Sequence, residues 1–279
     1  MAKTKTGDLK LGVALGGGSA LGFAHLGVLK ALEENEIKID CISGTSVGAI
    51  FAALYAFGVS FADIETEAAK LNWLKVAQLR PSRLGLTTNV GIKAILNKYI
   101  GKADIEDAEI PLAIITTDLE TGSKVVFKSG DVVEAVLASS CMPGLFIPVK
   151  MNGLMLVDGG IVENVPISPL KSLGADITMG VNLMRYRKYD KPKNIMGVLA
   201  NSFDMINHRI SAQPRKEDVT FLVEPNLSGY LLSDIKNWRE ISDIGYKETQ
   251  KYILAIKDAK HQTPGEEIWD KFKELFADA

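Results

Sequence analysis

Two short apolar runs near the start of the chain each end in a glycine cluster, and each leads into a helical pattern. Residues 10–15 read as a strand and Gly16, Gly17, Gly18 and Ser19 as a loop. Residues 20–35 read as a helix, with Leu26, Leu29, Leu32 and Ile37 at helix-like spacing. Residues 39–43 form a second strand, 44–48 a tight turn, and 47–57 a strongly apolar helix that stops at Gly58. Parallel strands need a crossover between them, and the crossovers here are helices. The pattern therefore favours an α/β fold with a largely parallel sheet covered by helices.

The remainder extends this alternation. Residues 61–99 read as mostly helical, broken at Pro81 and across 85–89. Strands are expected at 111–118 and 124–128, a helix begun by Asp131 at 131–140, and a hairpin from 146–150 and 154–157. Asp158, Gly159 and Gly160 follow that hairpin, then a short helix at 166–173 and a strand at 175–183. Beyond residue 190 the texture changes. Helices are expected at 194–210, 242–260 and 264–279, with one strand at 219–224.

Composition narrows the function classes. The chain is 47% hydrophobic and 24% charged with net charge −2, so it lacks the basic footprint of a nucleic-acid binder. Cys41 and Cys141 both sit in apolar surroundings and read as buried small side chains, which favours a reducing compartment. The apolar run 11–29 follows Lys3, Lys5 and Lys10 like a secretion leader. It carries six glycines and His25, however, so a strand and a glycine loop explain it better. No uninterrupted apolar stretch reaches the roughly 18 residues that mark a membrane span. A cytoplasmic protein is expected, with peripheral membrane contact left open.

Three features carry chemistry. The first is Gly44-Thr45-Ser46-Val47-Gly48, a G-x-S-x-G turn between strand and helix. Such a corner lifts a serine hydroxyl out of the sheet, and the following helix points its N–H groups at developing anionic charge. The second is the glycine loop at residues 16–19. Consecutive glycines can turn their amides into one concavity, as an oxyanion hole requires. A dinucleotide loop is the competing reading, but G-x-G-x-x-G would need glycine at position 21, where Leu21 stands. The third is Asp158-Gly159-Gly160, whose aspartate ends a strand with space beside it. An aspartate within hydrogen-bond reach can orient and deprotonate a serine. His25, read as packed on the first helix, and His208 and His261, which lack flanking motifs, are weaker candidates for a base. Asp118 reads as structural, and Ser140 and Pro143 as pocket wall.

Taken together, these motifs resemble the patatin-like phospholipases. The matching runs are Gly16 through His25, Gly44 through Gly48, Ser139 through Pro148, and Asp158-Gly159-Gly160, in the family's order across residues 10–183. The resemblance implies a three-layer α/β/α fold, with a central sheet between helices. It implies a Ser–Asp dyad of Ser46 as nucleophile and Asp158 as base, and an oxyanion hole from Gly16, Gly17, Gly18 and Ser19. Gly44, Gly48, Gly159 and Gly160 support the two corners. The implied reaction is hydrolysis of a lipid acyl ester, with no metal or other cofactor. Leu21 departs from the family, where arginine is frequent, and so removes a cation that could hold a lipid phosphate.

The expected organisation is a patatin-like catalytic domain over residues 1–190 and a mainly helical extension over 191–279 packed on it. Expected pocket walls are Ile50, Phe51, Leu54, Met142, Leu145 and Phe146, with residues 71–86 as a cap or interface segment. The loop 185–193 holds five basic residues, which read as solvated or as contacts to anionic head groups. Two other readings compete. One is an α/β-hydrolase-type esterase whose triad adds His208 or His261 to Ser46 and Asp158. The other is a nucleotide- or lipid-binding protein without turnover.

Overall fold

The computed structural model describes residues 9–70, 78–79, 82–189, 191–193, 195–211 and 218–261. The expected helix at 264–279 and most of the 71–81 part of the expected cap lie outside them.

The chain opens with β1 (Leu11–Leu15), a 3-10 turn at Ser19–Gly22 and α1 (Phe23–Glu34). Next come β2 (Cys41–Thr45), α2 (Val47–Ala56) and α3 (Phe61–Lys70). Two short strands follow, β3 (Gln78–Leu79), where helix was expected, and β4 (Gly85–Thr88), within the expected break at 85–89, before α4 (Val90–Tyr99). Gly85 and the β-branched pair Thr87 and Thr88 disfavour helix there, and β4 pairs with β7 (Gly144–Phe146). Between them lie β5 (Leu112–Asp118), β6 (Lys124–Phe127) and α5 (Val132–Ser139). The Asp131 side chain caps α5 by accepting from the Glu134 amide at 2.9 Å.

The hairpin β8 (Val149–Met151) and β9 (Leu154–Asp158) is followed by β10 (Ile177–Val181). Between β9 and β10, the expected helix at 166–173 is only a 3-10 turn at Lys171–Leu173. Pro166 and Pro169 withhold the amides a helix would use. Past residue 190 come α6 (Ile195–Ser211), β11 (Phe221–Val223), α7 (Trp238–Gln250) and α8 (Ile253–Lys260).

The main sheet runs β11-β10-β1-β2-β5-β9-β8, with β6 also pairing β5. β11, β10, β1, β2 and β5 are mutually parallel; β6, β8 and β9 are antiparallel to their neighbours. β1, β2, β5 and β10 are buried at every residue, as a parallel strand covered on both faces must be. α7 packs along α1, so residues beyond 190 contribute both a strand and a helix to the same body.

The register on β5 decides where the site forms. β6 occupies one edge of β5 from Ile114 to Thr117. β2 pairs with Leu112 to Ile115, and β9 with Thr116 to Asp118. Each strand has two edges, so β2 and β9 must share the other one, running towards each other. Thr45 ends β2 opposite Ile115, and Asp158 ends β9 opposite Thr116. The carboxyl ends of the two strands therefore meet, although they are far apart in sequence.

Candidate functional site

Ser46 sits where β2 turns into α2, with φ 55° and ψ −126°. A non-glycine residue there costs of the order of 1–3 kcal/mol and persists only when its surroundings impose it. Three contacts do so. The Ser46 amide donates to Ser139 Oγ at 2.9 Å, Ser139 Oγ donates to the Ile115 carbonyl at 2.6 Å, and Ser140 Oγ lies 3.3 Å from the Ser46 carbonyl. Gly48 completes the corner, because any Cβ at that position would run into the Leu15 carbonyl at the end of β1. Ser139 opens one of the runs that resemble the family, but its role in holding the Ser46 amide is not legible there, since a serine inside an apolar helix carries no pattern of its own.

Ser46 Oγ donates to Asp158 Oδ2 at 2.6 Å. The other carboxylate oxygen, Oδ1, accepts from the Gly160 amide at 2.8 Å. Thr117 Oγ1 donates to the Asp158 carbonyl at 2.9 Å, and the Asp158 amide donates to the Cys141 carbonyl at 2.9 Å. Asp158 is fully buried. Burial pushes its pKa up to about 7, against the pull of the Ser46 and Gly160 hydrogen bonds. A carboxyl poised near neutrality can take a hydroxyl proton and return it, which suits general acid–base work.

The glycine loop divides into two parts. The Gly16 amide donates to the Val181 carbonyl at 3.1 Å and the Gly17 amide to the Asn164 carbonyl at 3.2 Å. Gly17 is held close: a Cβ there would lie 2.5 Å from Asn164 Oδ1 and 3.1 Å from the Ser46 Cβ. Gly18 and Ser19 line the same cleft as Ser46. Among the described residues, their amides have no acceptor. His25 is buried, and its Nε2 lies 2.7 Å from the Gly16 carbonyl. Burial holds the His25 pKa down at about 4, so near neutrality Nε2–H donates and steadies the loop from behind. Leu21 is buried in the main core and does not face the cleft.

The cleft encloses about 1300 Å³, its open mouth included. Ser46, Asp158 and Ser140 lie in its wall with the six expected apolar residues Ile50, Phe51, Leu54, Met142, Leu145 and Phe146. Ile64, Glu67 and Ala68 of α3 and Ile92, Ile95 and Tyr99 of α4 also line it. The inner side of α6 supplies Phe203, Asp204 and Asn207. Asp204 forms a buried ion pair with Arg187, Nε to Oδ2 3.3 Å. Arg187 is therefore a structural cation, unlike the solvated residue that the basic run 185–193 suggested. Asp118 takes no part in the Ser46–Asp158 hydrogen bond: its carboxylate accepts from Thr121 Oγ1 at 2.6 Å and closes a turn. His208 bonds Tyr189 Oη through Nδ1 at 2.9 Å. Asp158 is bonded by Ser46 and Gly160, with no histidine among its partners.

The layered α/β architecture and this corner define the class, and a family model identifies it. Residues 13–171 match the patatin-like phospholipase model, and the chain belongs to that family. An NTE family protein of Mycobacterium tuberculosis is 33% identical over 176 residues, covering 62% of this chain and 49% of that protein. Lysophospholipase NTE1 of Pyricularia oryzae is 35% identical over 282 residues, covering 89% of this chain and 19% of that protein. The chain thus spans about half or less of the length of these relatives. Among solved structures, VipD from Legionella pneumophila superposes with TM-score 0.52 at 14% identity, covering 89% of this chain and 67% of that one. The likeness to VipD is one of fold.

Proposed function

We propose that the chain is a serine lipid acyl hydrolase, with Ser46 as nucleophile and Asp158 as its base. The observation that carries this reading is the 2.6 Å hydrogen bond from a strained, cleft-facing serine to a buried carboxylate with a pKa of about 7. Ionised Asp158 takes the Ser46 proton as Oγ attacks the ester carbonyl. The carbonyl π electrons move to oxygen, and the resulting oxyanion is met by the amides of Gly18 and Ser19 and by the N-terminal end of α2. Gly16 and Gly17 hold the loop in shape, because their own amides are engaged. As the tetrahedral intermediate collapses, Asp158 returns the proton to the leaving alcohol. Water then repeats the sequence on the acyl-enzyme and frees the fatty acid.

The apolar cleft along α2, α3 and α4 suits the acyl chain. The Pyricularia oryzae relative is a lysophospholipase by name, which supports single-chain lipids as the first substrates to try. Peripheral membrane contact would follow from such a substrate. The triad alternative, which needs His208 or His261, is disfavoured by the bonding of His208 to Tyr189 and by the partners of the Asp158 carboxylate, which are Ser46 and Gly160. A nucleotide loop is disfavoured because two of its glycine amides are already spent inside the protein.

The test is a fluorophosphonate probe together with hydrolysis of lysophosphatidylcholine and a soluble p-nitrophenyl ester. Labelling on Ser46 and turnover of both esters are expected, with Ser46→Ala folded and inert. Failure of the probe to label folded protein would sink the proposal.

A further inference from the structure

α6 is turned inside out relative to an ordinary surface helix, which hides its apolar stripe and presents polar groups to water. Its inner side buries Asp204, Asn207 and Ser211. Its outer side exposes Ile195, Val198, Leu199, Met205 and Ile206, with Ile195 74% accessible. These positions follow the 3–4 residue spacing of a single helix face. Among the described residues, nothing covers that stripe.

The stripe does not end with the helix. Leu199 Cδ1 lies 3.4 Å from where a Cβ on Gly144 would stand, and Gly144 of β7 pairs with Gly85 of β4. Leu84 and Leu86, on either side of Gly85, are both exposed. One apolar surface therefore runs from α6 onto the small second sheet. It borders the cleft, because the inner side of α6 and the residues Met142, Leu145 and Phe146 around β7 line it.

Among the described residues, the exposed charge next to this surface is basic, Asp190 between Lys188 and Lys191 lying outside them. Lys188, Lys191 and Lys193 precede α6, Arg209 lies in its last turn, and Arg83 adjoins Leu84; all are exposed. The described acidic residue within this stretch, Asp204, is buried against Arg187. A protein-binding patch is usually depleted of charge at its core and mixed at its rim, whereas an apolar helix face bordered by lysine and arginine suits a bilayer with anionic head groups.

We propose that the outer face of α6, with Leu84 and Leu86, docks on an anionic lipid surface and sets the mouth of the cleft against it. This rests on the lipid-hydrolase reading, since the cleft beneath α6 is where an extracted acyl chain would enter.

The test is cosedimentation with vesicles of phosphatidylcholine alone and of phosphatidylcholine with an equal part of phosphatidylglycerol. Two variants are compared: Ile195→Ser with Val198→Ser and Ile206→Ser, and Lys188→Gln with Lys191→Gln and Lys193→Gln. The apolar triple should weaken binding to both vesicles by about tenfold or more, and the basic triple should weaken binding only to the anionic ones. Both should hydrolyse a soluble p-nitrophenyl ester like the parent. Ile195→Trp gives a second readout, a blue shift of emission, beyond any in the parent, on adding anionic vesicles. Parent-like vesicle binding by the apolar triple, or no such shift in the Ile195→Trp variant, would overturn the proposal. So would a parent dimer in sedimentation that the apolar triple dissolves, which would assign the face to a second copy of the chain. Loss of soluble-ester hydrolysis in the parent itself would strike the catalytic reading instead, because vesicle binding is scored separately.

Discussion

Replacing Asp158 with asparagine should destroy turnover and make the protein more stable. In the unfolded chain this carboxyl ionises near 3.8; in the folded protein it does so at about 7, because it is buried. Between those values the folded state keeps a proton that the unfolded state has lost, so stability falls as pH rises through this window. Above it the full penalty applies, about 4 kcal/mol by the usual conversion of pKa into free energy. Asparagine carries no charge to bury and keeps the shape. Its Oδ1 can accept from the Gly160 amide as Asp158 Oδ1 does, and its Nδ2 can face Ser46 Oγ.

Asp158→Asn should therefore exceed the parent in stability by about 2–4 kcal/mol at pH 8, shrinking to about 0.5 kcal/mol at pH 4. Urea unfolding of both proteins across pH 4–8.5 measures the difference. In parallel, kcat/KM of the parent on a soluble ester should rise with pH through an apparent pKa near 7 and then level off. In the variant it should fall by about a thousandfold or more. An Asp158→Asn protein that is no more stable at pH 8, or whose advantage does not depend on pH, would refute the account of burial. One that turns over at nearly the parent rate would refute the dyad.

Three further outcomes are expected. Ser46→Gly should abolish fluorophosphonate labelling and stabilise the fold by about 1 kcal/mol in urea, since glycine tolerates the backbone that Ser46 is forced to adopt. The double variant His208→Gln with His261→Gln should keep ester turnover within about twofold of the parent; a loss of a hundredfold or more in folded protein would bring back the triad. Ala68→Phe, in the wall of the cleft, should cut kcat/KM on a long-chain p-nitrophenyl ester by about tenfold or more while sparing the acetate. Equal effects on both esters would remove the acyl chain from that part of the cleft.

The two corners were legible in the sequence because each is spelled locally. Gly44 and Gly48 answer to Ala49 and to the end of β1, and Gly159 to the neighbouring strand β5, although Gly160 is held by Asn207 of α6. The apolar wall on α2 was legible for the same reason, since Ile50 and Leu54 recur at helical spacing. What could not be read was how the pieces meet. That β2 and β9 share an edge of β5 depends on where β6 pairs, a register no single segment encodes. The support of Ser46 by Ser139, and of Gly16 by His25, depends on helix packing, and both residues look like ordinary members of apolar helices. The helix break at 85–89 was legible, but not that it is a strand, because β4 owes its structure to pairing with β3 and with β7, about 60 residues later in the chain. Arg187 looked like one more loop cation until Asp204, 17 residues later, came to lie against it.

The shared edge of β5 also bears on when the protein becomes competent. Ser46 arrives on one strand and Asp158 on another that approaches from the opposite direction, and the backbone of Ile115 and Thr116 sets the gap between them. Neither a chain stopped before residue 158 nor a collapsed intermediate with β9 undocked would contain a reactive serine, however well formed its elbow. On the proposed dyad, hydrolytic activity would be a readout of β9 docking on β5. A nascent or misfolded copy near a bilayer would be chemically silent until its last antiparallel strand had seated.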